Sequence, residues 1–274
     1  SEAVITAPML LSVDEDSLVS LVGVNVADLD VDVTPYGTVA VKVSAKHGTL
    51  TVGQEAVHNL TFASGDGKED SMMSFVGTLS DVNVALQSFT YKPHPDYNGL
   101  EEVKIRVTDQ GFTGGSEDSK EADHQVQINV RAKNDKPTFT VPASQMINED
   151  ATLLINGVGV FDVDIEDGLH DSTFEVSLHV VSGKLTLRTR DGSGREGGLE
   201  FIEGDGIEDA AMSFRGTLLS INAALSRLEY TGDSNTNSQY TEELLTLWIR
   251  DLGTDDASHG QSLNDTVTIP IHVT

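Results

Sequence analysis

The chain has 274 residues, and its 44 acidic side chains outnumber the 17 lysines and arginines, for a formal net charge of -27. Such a balance argues against nucleic acid or an anionic membrane as partner, because both require clustered cations. The chain has no cysteine for disulfides and no apolar run that predicts a membrane span. Its first residues do not resemble a signal peptide, which predicts an internal segment of a longer exported protein.

The sequence repeats itself. Residues 65–91 and 204–230 are identical at 15 of 27 aligned positions, which predicts two copies of one domain. The length suffices for two domains that each bury their own core. We therefore expect one domain over residues 1–136 and a second over residues 137–274.

Alternating apolar residues predict strands along both copies. A period of two residues, bounded by Gly, Asp, Asn and Pro, is typical of half-buried antiparallel strands. In chain order, the residues that share one face of a strand are Val39, Val41 and Val43; Val103, Ile105 and Val107; Val126, Ile128 and Val130; Val176 and Leu178; Leu185 and Leu187; Leu245, Leu247 and Ile249; and Val267, Ile269 and Ile271. Seven or so short strands in each copy indicate an all-β fold of two tandem Greek-key β-sandwiches.

One segment in each copy has helical spacing instead. The apolar residues at this spacing are Leu79, Val82 and Leu86 in the first copy and Leu218, Ile221 and Leu225 in the second. They predict one short helix in each domain, with Ser80 or Ser220 placed to cap its first turn. Asn83 and Asn222 recur inside the helix, where asparagine has no propensity advantage, so we expect their amides to bind a neighbouring loop backbone.

The two copies are joined by a short polar segment, RAKNDKPTFTVP at residues 131–142. Pro137 and Pro142 restrict its backbone. We expect a short linker that does not let the domains tumble freely.

Groups of acidic residues recur between the copies. The recurring sets are Glu15 and Asp16 with Glu149 and Asp150; Asp28 and Asp30 with Asp162 and Asp164; Asp66, Glu69 and Asp70 with Asp205, Glu208 and Asp209; and Asp109 with Asp251. Carboxylates clustered in loops suit Ca²⁺, which takes about six to eight oxygen ligands. We expect calcium at the Asp-x-Asp pairs, because adjacent carboxylates repel unless a cation lies between them. The GDG-x-ED sets are as consistent with a solvated turn as with a metal site, whereas Asp109 and Asp251, each two residues before a glycine, favour a structural role.

Other site classes find no support in the sequence. The stretch that begins at Asp162 is not an EF-hand loop, because Thr173 stands at the twelfth position, where a glutamate is required. None of the eight histidines recurs, and no zinc-protease, nucleophile-elbow or nucleotide-binding motif occurs. We therefore expect no enzymatic activity.

Five motifs occur in a distinctive order. They are NDKPTF at residues 134–139, INED at 147–150, VFDVD at 160–164, and the strand ends IRVTDQG at 105–111 and LWIRDLG at 247–253. Together they resemble a cadherin-like extracellular repeat, in particular the long type found in tandem in very large bacterial and protist surface proteins. The resemblance covers nearly the whole chain.

The resemblance implies a calcium cluster at the boundary between the copies, with ligands from the first copy, the linker and the second copy. The nine residues expected to bear metal ligands are Glu15, Asp16, Asp28, Asp30, Asn134, Asp135, Glu149, Asp162 and Asp164. Three departures reduce the expected number of ions to one or two, or none. Ala132 stands where the family's linker pattern begins with aspartate, Lys136 replaces an asparagine, and only Asp96 is a candidate for the family's D-x-E motif.

The function that the resemblance implies is structural and adhesive. The chain would be a stiff segment of a larger protein at the cell surface, rigidified by calcium, with neighbouring repeats and other surface proteins or glycans as partners. Two alternatives stay open. One is a ligand-binding module for glycans or a protein, displayed on loops such as the insertion at residues 191–198. The other is a fibre subunit held by lateral contacts between repeats.

Overall fold

The computed structural model describes residues 3–28, 37–109, 120–165, 173–187, 198–234, 243–252 and 262–274. The chain divides into two compact units, Ser1–Lys133 and Asn134–Thr274, which we call unit 1 and unit 2.

Unit 1 consists of short strands and two helices. Its elements are β1 (Val4–Thr6), β2 (Leu10–Asp14), β3 (Val19–Ser20), β4 (Asn25–Ala27), β5 (Thr38–Ser44), β6 (Gly48–Thr51), α1 (Gln54–Val57), β7 (Thr61–Ser64), β8 (Met72–Thr78), α2 (Leu79–Gln87), β9 (Thr90–Pro93), β10 (Gly99–Thr108) and β11 (Glu121–Arg131).

Unit 2 repeats this arrangement. Its elements are β12 (Thr138–Thr140), β13 (Gln145–Ile147), β14 (Thr152–Leu154), β15 (Gly159–Phe161), a 3-10 turn (Val163–Ile165), β16 (Thr173–Val180), β17 (Lys184–Leu187), β18 (Glu200–Glu203), β19 (Ala211–Thr217), α3 (Leu218–Leu225), β20 (Leu228–Thr231), β21 (Glu243–Asp251) and β22 (Asn264–Val273).

Each unit is a β-sandwich of a larger and a smaller sheet, with an additional two-stranded ribbon. In unit 1 the larger sheet has the order β2-β11-β10-β5-β8-β7, the smaller sheet has the order β3-β9-β6, and β1 pairs with β4. In unit 2 the corresponding orders are β13-β22-β21-β16-β19-β18, β14-β20-β17 and β12-β15. The edge strands β2 and β13 pair in parallel with β11 and β22, and the other pairs are antiparallel. The predicted all-β sandwich fold is confirmed in both units.

The residues predicted to share strand faces form the two cores. All of those named above are buried except Val267, which is half-buried at the edge of the unit 2 core. Tyr91 and Tyr230 are the largest fully buried side chains. Trp248 lies on the opposite face of β21, half-buried, where the Arg250 guanidinium carbon is 5.6 Å from its ring centroid.

The helices α2 and α3 confirm the helical spacing, but the predicted caps are wrong. The hydroxyl of Thr78 accepts a hydrogen bond from the Asp81 N–H, and that of Thr217 accepts one from the Ser220 N–H. Each strand continues directly into its helix, so the last extended residue is the threonine, and Ser220 already lies in the first turn. No helix in the described part of the chain is long and apolar enough to cross a membrane.

The recurring asparagines bind backbone, although that of a strand and not of the expected loop. The Asn83 amide accepts from the Val26 N–H at 2.7 Å and donates to the Val26 carbonyl at 2.8 Å. Asn222 makes the same two bonds with Val160, at 2.7 and 2.8 Å. The bound backbone belongs to the short ribbon strands β4 and β15, so each asparagine joins its helix to the ribbon.

Two details differ from the sequence-based expectations. The segment without regular structure between the strands is 132–137, shorter than predicted, because β11 extends to Arg131 and residues 138–140 pair with β15. Unit 1 also has a second helix, the single turn α1, which buries Ala56.

Candidate metal centre

Acidic residues lie at both ends of each sandwich. We call the end that carries the Asp-x-Asp pair the top, and the end that carries the Glu-Asp pair the base. In unit 2 the Glu149 N–H donates to the carbonyl of Thr274, which follows the last residue of β22. The Asp251 carboxylate accepts from the N–H of Leu263, which precedes the first residue of β22. The strand has 10 residues, and a rise of about 3.3 Å per residue places the two ends ~30 Å apart. Glu149 therefore cannot join a site at the top of its own unit.

Five oxygen-bearing side chains meet at the top of unit 2: Asn134, Asp135, Asp162, Asp164 and Asp251. The Asp135 N–H donates to Asp164 Oδ2 at 2.7 Å, and the Asp164 N–H donates to Asp162 Oδ1 at 3.0 Å. The Asn134 amide nitrogen donates to Asp251 Oδ2 at 3.1 Å. The contacts connect three separate segments of the chain.

The strand pairing explains why these segments meet. Asn134 and Asp135 lie shortly before β12, which pairs with β15, and Asp162 directly follows β15. The 3-10 turn after β15 carries Asp164, and Asp251 is the last residue of β21. Four of the nine predicted ligand residues are thus brought together within one unit.

The electrostatics centre on Asp162, whose residue is only 3% exposed. Burial, together with the negative charges of Asp164, Asp251 and Asp135, raises the pKa of its carboxyl to about 6, against the hydrogen bond from the Asp164 backbone, which lowers it. Ionised Asp162 is therefore destabilised by its surroundings, and a bound cation would reverse that effect.

Sequence reasoning gave Asp251 a structural role and missed it as a member of this cluster. Its carboxylate does hold the backbone, since the Leu263 N–H lies 3.1 and 3.0 Å from its two oxygens. It also faces Asp162 closely enough to raise that residue's pKa. The signal that could have identified it was its recurrence as Asp109.

The top of unit 1 has buried carboxylates at the matching places. Asp28 and Asp109 are 4% and 0% exposed, and Asp109 accepts from the Lys120 N–H at 2.9 Å. Asp30, the predicted partner of Asp28, lies outside the described residues.

At the base, the predicted ligands of the two units differ. Glu15 is buried, its carboxylate accepts from the Lys133 N–H at 2.5 Å, and its own N–H donates to the Arg131 carbonyl. Asp16 is exposed, with a φ of 56°, and accepts from the Asp96 N–H at 3.4 Å. Glu149 is exposed on its turn.

The recurring GDG-x-ED carboxylates hold turns. Asp70 Oδ2 accepts from the N–H groups of Asp66 and Gly67 at 3.0 and 2.8 Å, and Asp209 makes the same pair of bonds in unit 2. Of the two interpretations left open, these contacts favour the turn.

Another pair of buried acids escaped the sequence reasoning. Glu101 accepts from the N–H groups of Lys46 and His47, and Glu243 accepts from that of Val181 at 2.9 Å and from Ser182. Each carboxylate thus accepts hydrogen bonds from the turn that precedes β6 or β17, a strand of the smaller sheet. They stand at equal distances before Asp109 and Asp251, so the internal repeat contained the signal.

Comparisons with known proteins find a likeness to solved structures only. No protein-family model matches the chain, and no curated protein matches it in sequence. The chain is similar to solved structures of cadherin extracellular domains, the family that its motifs resemble; the bacterial or protist type stays a prediction.

Three of these structures illustrate the similarity. Protocadherin Gamma B2 extracellular cadherin domains 1-5 are 14% identical with a TM-score of 0.35, over 100% of this chain and 40% of that chain. Human mucin-like protocadherin EC1-2 is 13% identical with a TM-score of 0.31, over 99% and 98%. Mouse cadherin-23 EC22-24 is 17% identical with a TM-score of 0.35, over 100% and 67%. At these values the function has to be argued from the chain's own residues.

Proposed function

We propose that the chain is a non-enzymatic, structural and adhesive segment of a larger extracellular protein, and that it binds Ca²⁺ at the top of unit 2. The observation that carries the proposal is the meeting of four carboxylates and one amide, with the buried Asp162 as one of the four. Such a concentration of negative charge is unfavourable in the absence of a cation.

The donor set favours calcium among the common metal ions. All five side chains offer oxygen, and none offers the nitrogen or sulfur that transition metals prefer. The oxygens come from three separate segments, which are the irregular segment before β12, the stretch after β15 with its 3-10 turn, and the end of β21. Ligands of such mixed origin suit the flexible coordination of Ca²⁺ better than the strict octahedron of Mg²⁺.

Binding at this place would have a mechanical consequence. Asn134 and Asp135 belong to the irregular segment 132–137 that connects the units, so an ion held with Asp162 and Asp164 would fix that segment to unit 2. We propose further, from the resemblance alone, that Glu15 and Asp16 add ligands and that one or two ions thereby stiffen the chain. Asp28, Asp30 and Glu149 would serve equivalent sites towards neighbouring repeats.

Calorimetry on the whole chain tests the calcium proposal. A ligand that binds only the native state stabilises it by about 2.7 kcal/mol at a hundredfold excess over its Kd. Unfolding of unit 2 is therefore expected at a clearly higher temperature in millimolar Ca²⁺ than in chelator. Equal unfolding curves in the two conditions, with no heat of binding in a Ca²⁺ titration, would reject the site.

Two substitutions locate the ion. Asp164→Asn and Asp135→Asn are each expected to weaken Ca²⁺ binding at least tenfold, because each removes a charged ligand. Asp205→Asn is the matched control, since it removes the same charge from unit 2 but changes only a turn in which Asp205 accepts from the Ile207 N–H. Small-angle scattering with and without Ca²⁺ tests stiffening separately: calcium binding with unchanged scattering would reject the stiff rod and leave the site intact.

A further inference from the structure

The outer face of the larger sheet in unit 1 carries a concave site that neither the fold nor the calcium proposal uses. Its cavity has a volume of about 390 Å³. The lining side chains that matter here, which we call the cationic groove, are Lys42, Ser44, Lys104, Arg106, Asp123 and Gln125. Three of these six are cations, on a chain with a net charge of -27.

The strand register forces the cations together. Arg106 on β10 stands directly opposite Lys42 on β5, and Lys104 stands opposite Ser44 in the next outward-facing row. Like charges at directly opposed positions destabilise a sheet. A cluster of this kind is therefore a cost to folding unless it has a counter-charge.

Among the described residues, the arginine has counter-charges but the lysines have none. Arg106 Nε bonds Asp123 Oδ1 at 2.7 Å, its Nη1 lies 3.4 Å from Glu121, and the hydrogen bond from Arg106 holds the pKa of the Asp123 carboxyl below its usual range. Lys42 and Lys104 are exposed, and among the described residues no carboxylate lies within 4.0 Å of either ammonium group. Two cations of the groove are thus available to a ligand.

Unit 2 shows that the fold does not require these cations. The equivalent pairings place Ser177 at the position of Lys42 and Thr246 at that of Lys104, with Trp248 at that of Arg106. The same sheet therefore forms with neutral residues at all three places. These three cations are therefore specific to unit 1, as the residues of a ligand site are expected to be.

We propose that the cationic groove binds an acidic saccharide, a sugar chain with carboxylate or sulfate groups. The ammonium groups of Lys42 and Lys104 would bind the anionic group, and the Ser44 hydroxyl and Gln125 amide are placed to bond sugar hydroxyls. The volume falls within the range of small-ligand sites, about 300 to 1,000 Å³. The lining offers no exposed apolar side chain to anchor a peptide, because Ile105 is buried in the core.

The test uses the whole chain in chelator, so that Ca²⁺ cannot bridge protein and sugar. Isothermal titration with tetragalacturonate and with a sulfated galactan tetrasaccharide is expected to show binding to at least one, weakening as salt rises from 50 to 500 mM. Carboxyl-reduced, neutral tetragalactose is expected not to bind. Equal binding of the neutral sugar, or no binding of either acidic sugar, overturns the proposal.

The second unit supplies the variants. Lys42→Ser with Lys104→Thr, the residues of unit 2, is expected to weaken binding roughly a hundredfold, since each charge-assisted contact accounts for about tenfold. The control Lys68→Ser with Lys92→Thr removes two exposed lysines elsewhere in unit 1 and is expected to bind as the parent does. Neither variant is expected to unfold below the parent's temperature, and the groove variant should be slightly more stable because opposed cations are removed.

Three outcomes contradict the assignment. Equal weakening in the control variant would show attraction to overall charge and not to the groove. Equal affinity for tetraglutamate would make the groove a site for acidic peptides. If the parent self-associates, the groove variant does not, and both bind the sugar equally, the groove is a contact between copies of the chain.

Discussion

Replacing Asp162 by asparagine is expected to change the stability of unit 2 in opposite directions with and without calcium. Asparagine has the same shape and keeps an oxygen that can accept from the Asp164 N–H, but it cannot ionise. The substitution therefore isolates the effect of the negative charge at a residue that is 3% exposed.

The size of the effect follows from the pKa. Burial and three neighbouring carboxylates raise the pKa of Asp162 from 3.8 to about 6. Because the pKa is higher in the folded state, the stability that unit 2 has with protonated Asp162 is fully present below pH 3.8 and is lost as the pH rises through about 6. Each pKa unit corresponds to about 1.4 kcal/mol, so ionised Asp162 destabilises unit 2 by roughly 3 kcal/mol at neutral pH without calcium.

Differential scanning calorimetry at pH 7.5 measures the change in stability caused by Asp162→Asn without and with calcium. In chelator, Asp162→Asn is expected to raise the unfolding temperature of unit 2 by up to ~10 °C. In millimolar Ca²⁺ the parent is expected to gain stability and the variant to gain little, because an anionic ligand is missing. A variant that is less stable than the parent in chelator would refute the electrostatic reasoning, and one that responds to Ca²⁺ as the parent does would remove Asp162 from the ligand set.

Three further predictions concern the fold. Asn222→Ala is expected to lower the free energy of unfolding by roughly 2 kcal/mol, because its bonds to Val160 at 2.7 and 2.8 Å are lost; an unchanged urea midpoint would contradict this role. Thr78→Ala is expected to cost ~1 kcal/mol and Thr78→Ser nearly nothing, as for an N-terminal cap, and equal losses would exclude the hydroxyl bond. The hydrogen bond from Arg215 lowers the pKa of Glu175, so its stabilisation is present above the ordinary carboxyl pKa and is lost as pH falls through the lowered value. Glu175→Gln should therefore lose less stability than the parent as the pH falls. If the free energy of unfolding, measured by urea titration from pH 2 to 7, falls equally in both proteins, the ion pair does not stabilise unit 2.

The strands and helices were predictable because their signals are local. Val103, Ile105 and Val107 alternate along β10 and are all buried, since successive side chains of a strand point to opposite faces. The threonine caps were missed because the position of a cap depends on where the preceding strand ends. That point is set by pairing with another strand.

The candidate metal site was only partly predictable for the same reason. Asp162 and Asp164 are neighbours in the sequence, and their repulsion could be inferred from their spacing alone. Asp251 contacts Asn134 across a separation of 117 residues, which no local pattern contains. Burial raises the pKa of Asp162, and burial belongs to the folded chain.

The sequence by itself determined that the chain consists of two related all-β domains, which faces of their strands are apolar, and which acids recur. These properties depend on residue type and on spacing along the chain. Only the tertiary structure decided that Asp251 joins the cluster at the top of unit 2, and that Lys42 stands opposite Arg106 where unit 2 pairs Ser177 with Trp248. Cross-strand neighbours are set by register between strands that are distant in sequence, so they exist only when the sheet has formed.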